Sequence, residues 1–468
     1  MRAGWLAGAL LLALGSGCVA RDAGLAGVQS AAEQRMGKEV RWFHVEGTGA
    51  AEERIRELVK RPLDAEAAVQ LALLNNPRVQ AAFERLGLAR GELVGAWKLP
   101  NPRVGASAVY FGDGEPELGF DVTISLTRLL LMPGRASAAE AGLTRAQLEV
   151  VGQVLDLSFE VRRALVVYQA AHEGRRLLRL RARAADASAR AAASLHEAGN
   201  LTDLELSSEQ VGYQEVRLQL ADAELAERTA KLALGELLGL WQLGHEFRVE
   251  TKLPELPPPS PLEEQPLPAL VKGALESSVE LATLRERFTE HSKGANSASL
   301  AGALPDVSAG VEVERGHSGW GVGPTVHLEL PLFDQGQGAA SRAESGARQA
   351  RYDSARVASA VRSRAAQLKQ GLEVARRRAE FYQAEVVPLR QRVTEQSLLE
   401  YNAMSIGVFE LLAARSAELS AAREAARALE RYWLVRLGLE QLASGRLGPE
   451  VSVGSAVEPA RASAAPRH

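Results

Sequence analysis

The side chains that most often do chemistry are few here, and their spacing does not suit catalysis. The eight histidines, at positions 44, 172, 196, 245, 291, 317, 327 and 468, include no pair one helical turn apart, so none has metal-ligand spacing. They read as surface or structural residues, and no metal or cofactor is expected. Gly316, Gly319, Gly321 and Gly323 lie between two alternating runs and do not open a helix, so they read as a loop and not as a phosphate cradle. No nucleophile, general base and oxyanion donor fall into one pattern, and no enzyme activity is expected. Two carboxylates stand out by position. Glu205 and Glu410 follow two chain breaks at the same distance, 205 residues apart. A solvated helix-surface role is one reading of both.

The single cysteine, Cys18, excludes an intrachain disulfide. Arg2, the apolar run Trp5 to Leu14 and the small residues Gly15-Ser16-Gly17 precede it. That run is too short to span a bilayer, which takes roughly 20 residues, and it fits a secretory signal peptide over residues 1–17. With the cysteine directly after the small residues, the segment resembles a bacterial lipoprotein signal, in which Cys18 would be acylated. The alternative is an ordinary cleaved signal with an incidental cysteine. Val19 is not the aspartate that often retains lipoproteins at the inner membrane, so delivery to the outer membrane is open. Residues 18–62 would then be a lipid-anchored tether.

Composition sets the architecture. The 468 residues are 46% apolar, only 5% aromatic, and carry a formal net charge of -3. With a pI near 6.3, nothing suggests a nucleic-acid partner. An Ala-rich, aromatic-poor chain reads as long, closely packed helices. No segment after residue 20 is long and apolar enough for a transmembrane helix, so a membrane crossing would need a closed β-barrel.

The chain repeats itself. A linker with seven prolines spans residues 253–268, within a boundary region of 246–268, and the segments on either side, 63–245 and 269–445, share one plan. Each opens with a helix, Ala65 to Trp97 and Leu270 to Ala298. Each helix is stopped by a Leu-Pro pair, Leu99-Pro100 and Leu304-Pro305, again 205 residues apart. Two alternating runs follow in each half, predicting strands at about 103–111 and 119–127, then 306–314 and 324–331. Pro133-Gly134 and Leu332 to Gly336 are expected to break the chain before a long helix, Ala136 to His196 and Ala339 to Asn402. The first of these, 61 residues, would be roughly 90 Å long at ~1.5 Å per residue. Alternate 3–4 spacing of Leu177, Leu180, Ala184, Ala187, Ala191 and Leu195, and of Leu372, Ala375, Ala379, Tyr382, Val386, Leu389 and Val393, predicts coiled-coil seams, with Pro388 expected to kink the second. Both helices turn back, at Ala198-Gly199-Asn200 and at Tyr401 to Gly407, with Thr202 or Asp203 as cap of the first return helix. Residues 446–468 read as a disordered tail.

Four strands of this length suit a tilted membrane crossing of roughly 9–11 residues but cannot close a barrel alone, so copies must pool them; closure by itself permits a dimer, trimer or tetramer. Ala72 to Pro77, Leu99 to Pro102, Leu332 to Gly336 and the tip pattern Gly199 to Leu206 together resemble the TolC-like outer-membrane factors over about residues 63–445. The resemblance implies a mainly α fold with a small β part. Two tandem helix–β-hairpin–long-helix repeats would trimerise into a 12-stranded barrel continued by a periplasmic helical barrel. It implies a passive outer-membrane channel for efflux or type I secretion, embedded in outer-membrane lipid, docking to a periplasmic adaptor and an inner-membrane transporter. Carried over, Gly199, Asn200, Met404 and Gly407 fall at the adaptor-contacting tips. Leu204, Glu205, Phe409 and Glu410 fall at a tunnel constriction, where three copies of either Glu would make a ring that favours cations. Two departures are Met404 in place of a tip glycine and Ala413 where relatives often place an aspartate. The rivals are a periplasmic coiled-coil adaptor lipoprotein and a non-channel coiled-coil scaffold.

Overall fold

The computed structural model describes residues 28, 30, 31, 48–110, 116–240, 247–316 and 319–449. The signal segment with Cys18, Phe111 and the tail beyond 449 lie outside the described residues.

In chain order the elements are α1 (Thr48–Val59), α2 (Ala65–Asn75), α3 (Pro77–Trp97), β1 (Arg103–Val109), β2 (Glu117–Ser125), α4 (Leu126–Glu197) and α5 (Asp203–Leu237). After the Pro-rich segment come α6 (Pro261–Glu264), α7 (Leu267–Ser277), α8 (Val279–Ala303), β3 (Asp306–Gly316), β4 (Gly319–Glu329) and α9 (Gln337–Phe381). A π-helical turn (Tyr382–Val386), α10 (Val387–Asn402) and α11 (Val408–Ala443) complete the chain. The chain forms two compact units. Among the described residues, one draws on 79–152 and 279–358 and holds the sheet; the other draws on 48–78, 153–278 and 359–449. Both units take residues from both repeats.

The sheet is a four-stranded antiparallel meander in the order β1-β2-β3-β4, so among the described residues β1 and β4 are free edges. Its register makes the two faces chemically opposite. On one face Val104, Val122, Val311 and Pro324 form a row, Ala106, Phe120, Val313 and Val322 the next, and Ile124, Ala309 and Val326 a third. On the other face the rows are Gly105, Asp121, Glu312, Gly323, then Ser107, Gly119, Glu314, Gly321, then Arg103, Thr123, Gly310, Thr325. The apolar face is bare: Val104 is 75% and Val322 73% exposed. Phe120 and Trp320 stack across it at 6.5 Å.

Strand limits differ from the expected ones for local reasons. The Arg128 N–H donates to Ser125 Oγ (3.2 Å), an N-cap that ends β2 at 125 and starts α4 at once. β4 begins at Gly319 and not at 324, because Gly316 already pairs with Gly319. Trp320 and Val322 alternate with glycines, so the expected Gly316–Gly323 loop is mostly strand. Gly319, at φ +118°, takes the conformation the reversal requires.

Pro133 does not break the chain. It sits inside α4, which runs unbroken for 72 residues. At the eighth helical position proline removes the N–H that the Leu129 carbonyl would accept, yet the helix continues through it. The opening helices, by contrast, are each split. Asn76 is extended (ψ 122°), as a residue before proline prefers, and Ser278 makes the equivalent break at ψ 116°.

The Asn-Asn-Pro motif at that break gains a physical role. Asn75 Nδ2 donates to the Leu238 and Gly239 carbonyls (3.1 and 2.7 Å) and Asn76 Nδ2 to the Leu237 carbonyl (2.8 Å). These are carbonyls at the end of α5, which the helix leaves unpaired. In the second half Ser277 Oγ donates to the Ala443 carbonyl (3.2 Å) at the end of α11. The Pro-rich segment is strapped to the helices through Glu263, which accepts from Arg376 (2.9 Å) and the Tyr432 hydroxyl (2.9 Å) and pairs with Arg436 (3.5 Å).

The helical seams are rotated from their expected residues. In α4, Leu177 is buried as expected, but Leu178, Ala182, Ser188 and Ala192 form the rest of the inner line, while Leu180, Ala184, Ala187, Ala191 and Leu195 are half-buried. In α9, Leu372, Ala375 and Ala379 are buried as expected. Tyr382 and Val386 are half-buried, and Leu389 and Val393 are exposed. The π-turn inserts one residue, so beyond it the inner line moves on by one, to Thr394 and Ser397. That turn is also how the helix accommodates Pro388: the Val387 N–H bonds to the Tyr382 carbonyl and the proline falls in the first turn of α10.

Candidate functional site: the two hairpin tips

Each long helix ends in the same way. In the first tip the Gly199 N–H donates to the His196 carbonyl (2.9 Å) and the Asn200 N–H to the Leu195 carbonyl (2.8 Å), with Gly199 at φ +74°. In the second, the Met404 N–H donates to the Tyr401 carbonyl (2.9 Å) and the Ser405 N–H to the Glu400 carbonyl (2.8 Å), with Met404 at φ +60°. Both are left-handed helix stops that satisfy orphan carbonyls. The second places a methionine in a backbone region that disfavours L side chains, and leaves it 93% exposed.

The return helices start alike too. Thr202 caps α5: its Oγ1 accepts the Glu205 N–H (3.3 Å) and Glu205 Oε2 accepts the Thr202 N–H (2.9 Å), a capping box. Gly407 has no side chain, so α11 keeps half of that box, with Glu410 Oε2 accepting the Gly407 N–H (2.6 Å). The bond from the Thr202 backbone, joined by its hydroxyl, lowers the Glu205 pKa. The matched glutamates therefore have a structural task in each tip, whatever else they do. Of the other constriction candidates, Leu204 is 80% exposed and Phe409 half-buried, so the repeat does not treat them alike.

The return helix α5 is laddered to α4 by polar contacts. His172 Nδ1 lies 2.6 Å from Glu227, Arg181 donates to Gln219 (3.2 Å), and Ser188 Oγ donates to Glu209 (2.6 Å). Among the other described histidines, His196 bonds the Leu201 carbonyl (2.9 Å) and His327 contacts Thr325 (3.4 Å). Among the described residues no group of three or more His, Cys, Asp or Glu side chains could hold a metal, and no helix is long and apolar enough to cross a membrane.

Two features escaped the sequence reading. One is the acidic face of the sheet, with Asp121, Glu312 and Glu314 in adjacent rows; the alternation that revealed the apolar residues held this signal in its other half. The second is an exposed line on α5: Leu204, Val211, Leu218, Leu225 and Leu232.

No protein-family model matches the chain, and no curated protein sequence matches it significantly. Solved structures do. The CmeC outer-membrane channel of Campylobacter jejuni is 14% identical, with 88% of this chain and 91% of that chain covered at a TM-score of 0.65. The outer-membrane protein VceC of Vibrio cholerae is 15% identical, covering 82% and 96% at 0.64. The MtrE outer-membrane channel of Neisseria gonorrhoeae, in its open state, is 15% identical, covering 84% and 90% at 0.63. With long helical hairpins and a four-stranded sheet, this chain has the fold of the TolC-like outer-membrane channels.

Proposed function

We propose that this chain is one protomer of an outer-membrane export duct. The observation that carries the proposal is the sheet: one face almost wholly apolar and exposed, the other polar and acidic, and both edges free. An apolar-out, polar-in strand pattern is that of a membrane barrel with an aqueous lumen. Free edges cannot stay unpaired in lipid, so β1 of one copy must meet β4 of the next. Three copies would supply about twelve strands, within the even-numbered range of such barrels. The likeness of fold to outer-membrane channels supports the same reading.

In this reading the duct is passive and has no chemistry of its own. Its helical hairpins reach through the periplasm, where the tips at Gly199, Asn200, Met404 and Gly407 meet a periplasmic adaptor coupled to an inner-membrane transporter. Leu204, Glu205, Phe409 and Glu410 narrow the tunnel just inside, and acylated Cys18 anchors the chain in outer-membrane lipid. The adaptor and scaffold alternatives offer no reason for a sheet that is bare and apolar on one side.

The test is conductance of the purified protein in planar bilayers. Discrete channels with cation preference are expected, reduced in preference by Glu410→Ala. Unchanged preference removes the gate role of Glu410, and absence of any conductance overturns the duct. Loss of fatty-acid labelling in Cys18→Ser is the parallel check on the anchor.

A further inference from the structure

Helices α4, α5 and α11 enclose a hollow of about 400 Å³. Its floor is one face of α4, with Val167, Ala170, Ala171 and Gly174, and its sides include Ala223 and Ala226 of α5 and Ala426 of α11. Small residues make the space. One turn beyond Gly174 the same face carries Leu178, which is 1% exposed and closes it. A Cβ added at Gly174 would meet nothing within 4 Å. Packed helices rarely leave gaps much larger than a water molecule, and this one reaches the size of a small-molecule site, roughly 300–1,000 Å³.

The polar groups around it are few and unequal. Arg427 is engaged with Glu424 (2.7 Å), and Asp222 stands exposed on the α5 rim. That leaves Arg423 and Glu430, both half-buried, with no hydrogen bond or ion pair among the described residues. They are seven residues apart on α11, roughly 10 Å at ~1.5 Å per residue. Burial, then Arg427 and Arg181, draws the Arg423 pKa down against the pull of Glu424. Arg181 itself bonds the neutral Ser416 and Gln219 (3.0 and 3.2 Å), so this end of the hollow gathers guanidinium charge. Burial pushes the Glu430 carboxyl up, toward the neutral acid, which attracts a cation weakly.

We propose that the hollow binds a small apolar acid, with a carboxylate or sulfonate head on Arg423 and its body laid along Ala171 and Gly174. The head gives the guanidinium the charge-assisted hydrogen bonds it lacks, in a half-buried place where they are stronger than in water. The body removes the apolar floor from water. Bound there, the ligand touches three helices and ties α5 and α11 to the α4 between them. The site lies within one copy of the chain and stands independently of the duct reading.

Equilibrium dialysis tests it, on the membrane-extracted protein in lipid nanodiscs, with naphthalene-2-sulfonate as the probe and protein-free nanodiscs as the blank. Saturable binding of one probe per chain is expected. Arg423→Gln should weaken it roughly 10-fold, the loss of one charged hydrogen bond, and Gly174→Leu, which fills the floor, should abolish it. Bound probe should slow hydrogen exchange over residues 219–226 and 423–430 in the parent and not in Gly174→Leu. Absence of saturable binding at millimolar probe overturns the proposal. Binding unchanged in both variants overturns it too, as partition into lipid or another site. So does tighter binding of 2-naphthylmethylamine, whose ammonium would sit at Glu430. Conductance of the same preparation in planar bilayers reads the duct separately.

Discussion

Met404 occupies the position that Gly199 holds in the first tip, with the same hydrogen bonds around it. Its φ of +60° costs an L residue roughly 1–2 kcal/mol relative to glycine. Glycine at that site would in turn carry about 0.4–1 kcal/mol of extra chain entropy in the unfolded state. At 93% exposure the methionine gives up almost no packing. Met404→Gly should therefore stabilise the tip by about 0.5–1 kcal/mol, a ~2- to 5-fold shift in the local opening equilibrium. Hydrogen exchange of the Ser405 amide, which bonds the Glu400 carbonyl at 2.8 Å, reads that equilibrium directly. Slower exchange of that size is expected, and the reverse change, Gly199→Met, should speed exchange of the Asn200 amide by a similar factor. Unchanged or faster exchange at Ser405 in Met404→Gly would refute the strain argument and mean that the side chain makes a stabilising contact.

Three further outcomes follow from the packing. Asn76→Ala removes the donor to the Leu237 carbonyl and the acceptor of the Arg78 N–H (2.8 Å) at a buried site, and should cost about 1–3 kcal/mol in denaturant unfolding. Glu263, 7% exposed, lies between Arg376 and Arg436. In Glu263→Gln those guanidinium groups retain Glu380 and Glu440 (3.4 and 3.0 Å) but lose their shared charged acceptor, which should lower stability by about 1–3 kcal/mol in thermal unfolding. The Glu205 cap should be sensitive to acid. Its folded pKa lies below the ordinary 4.5, so the contribution is complete above that value and is lost as pH falls through the lowered one. A carboxyl NMR titration should find its midpoint below those of free surface glutamates and rising in Thr202→Ala, though not fully, since the backbone bond remains.

The repeat was legible because it is written in punctuation. The Leu-Pro pairs, the left-handed tip residues Gly199 and Met404 and the Glu after each tip keep one 205-residue offset, and the structure gives both tips the same bonds at that offset. Alternation over residues 104–110, 120–126 and 307–313 likewise exposed the strands, since a two-residue period has few other causes. The errors came where one backbone event outweighs a pattern. Pro133 costs α4 one backbone bond that a 72-residue helix carries without breaking, whereas the proline at 77 splits its helix because the asparagines before it are engaged elsewhere. The π-turn at 382–386 moved a seam by one residue, which no count at fixed spacing foresees. The Leu line of α5 was missed because a search for alternate 3–4 spacing passes over a stripe with one residue per heptad. The function of the acidic row, Asp121 with Glu312 and then Glu314, depends on which side of the sheet faces water, and that is fixed only when copies assemble.

The copy number of the membrane-extracted protein tests the central claim most directly, because a four-stranded sheet with two free edges cannot seal itself against lipid. Native mass spectrometry from detergent should find a single assembly of three chains that persists on dilution. A species of one chain, folded and stable in the same detergent, would contradict the account.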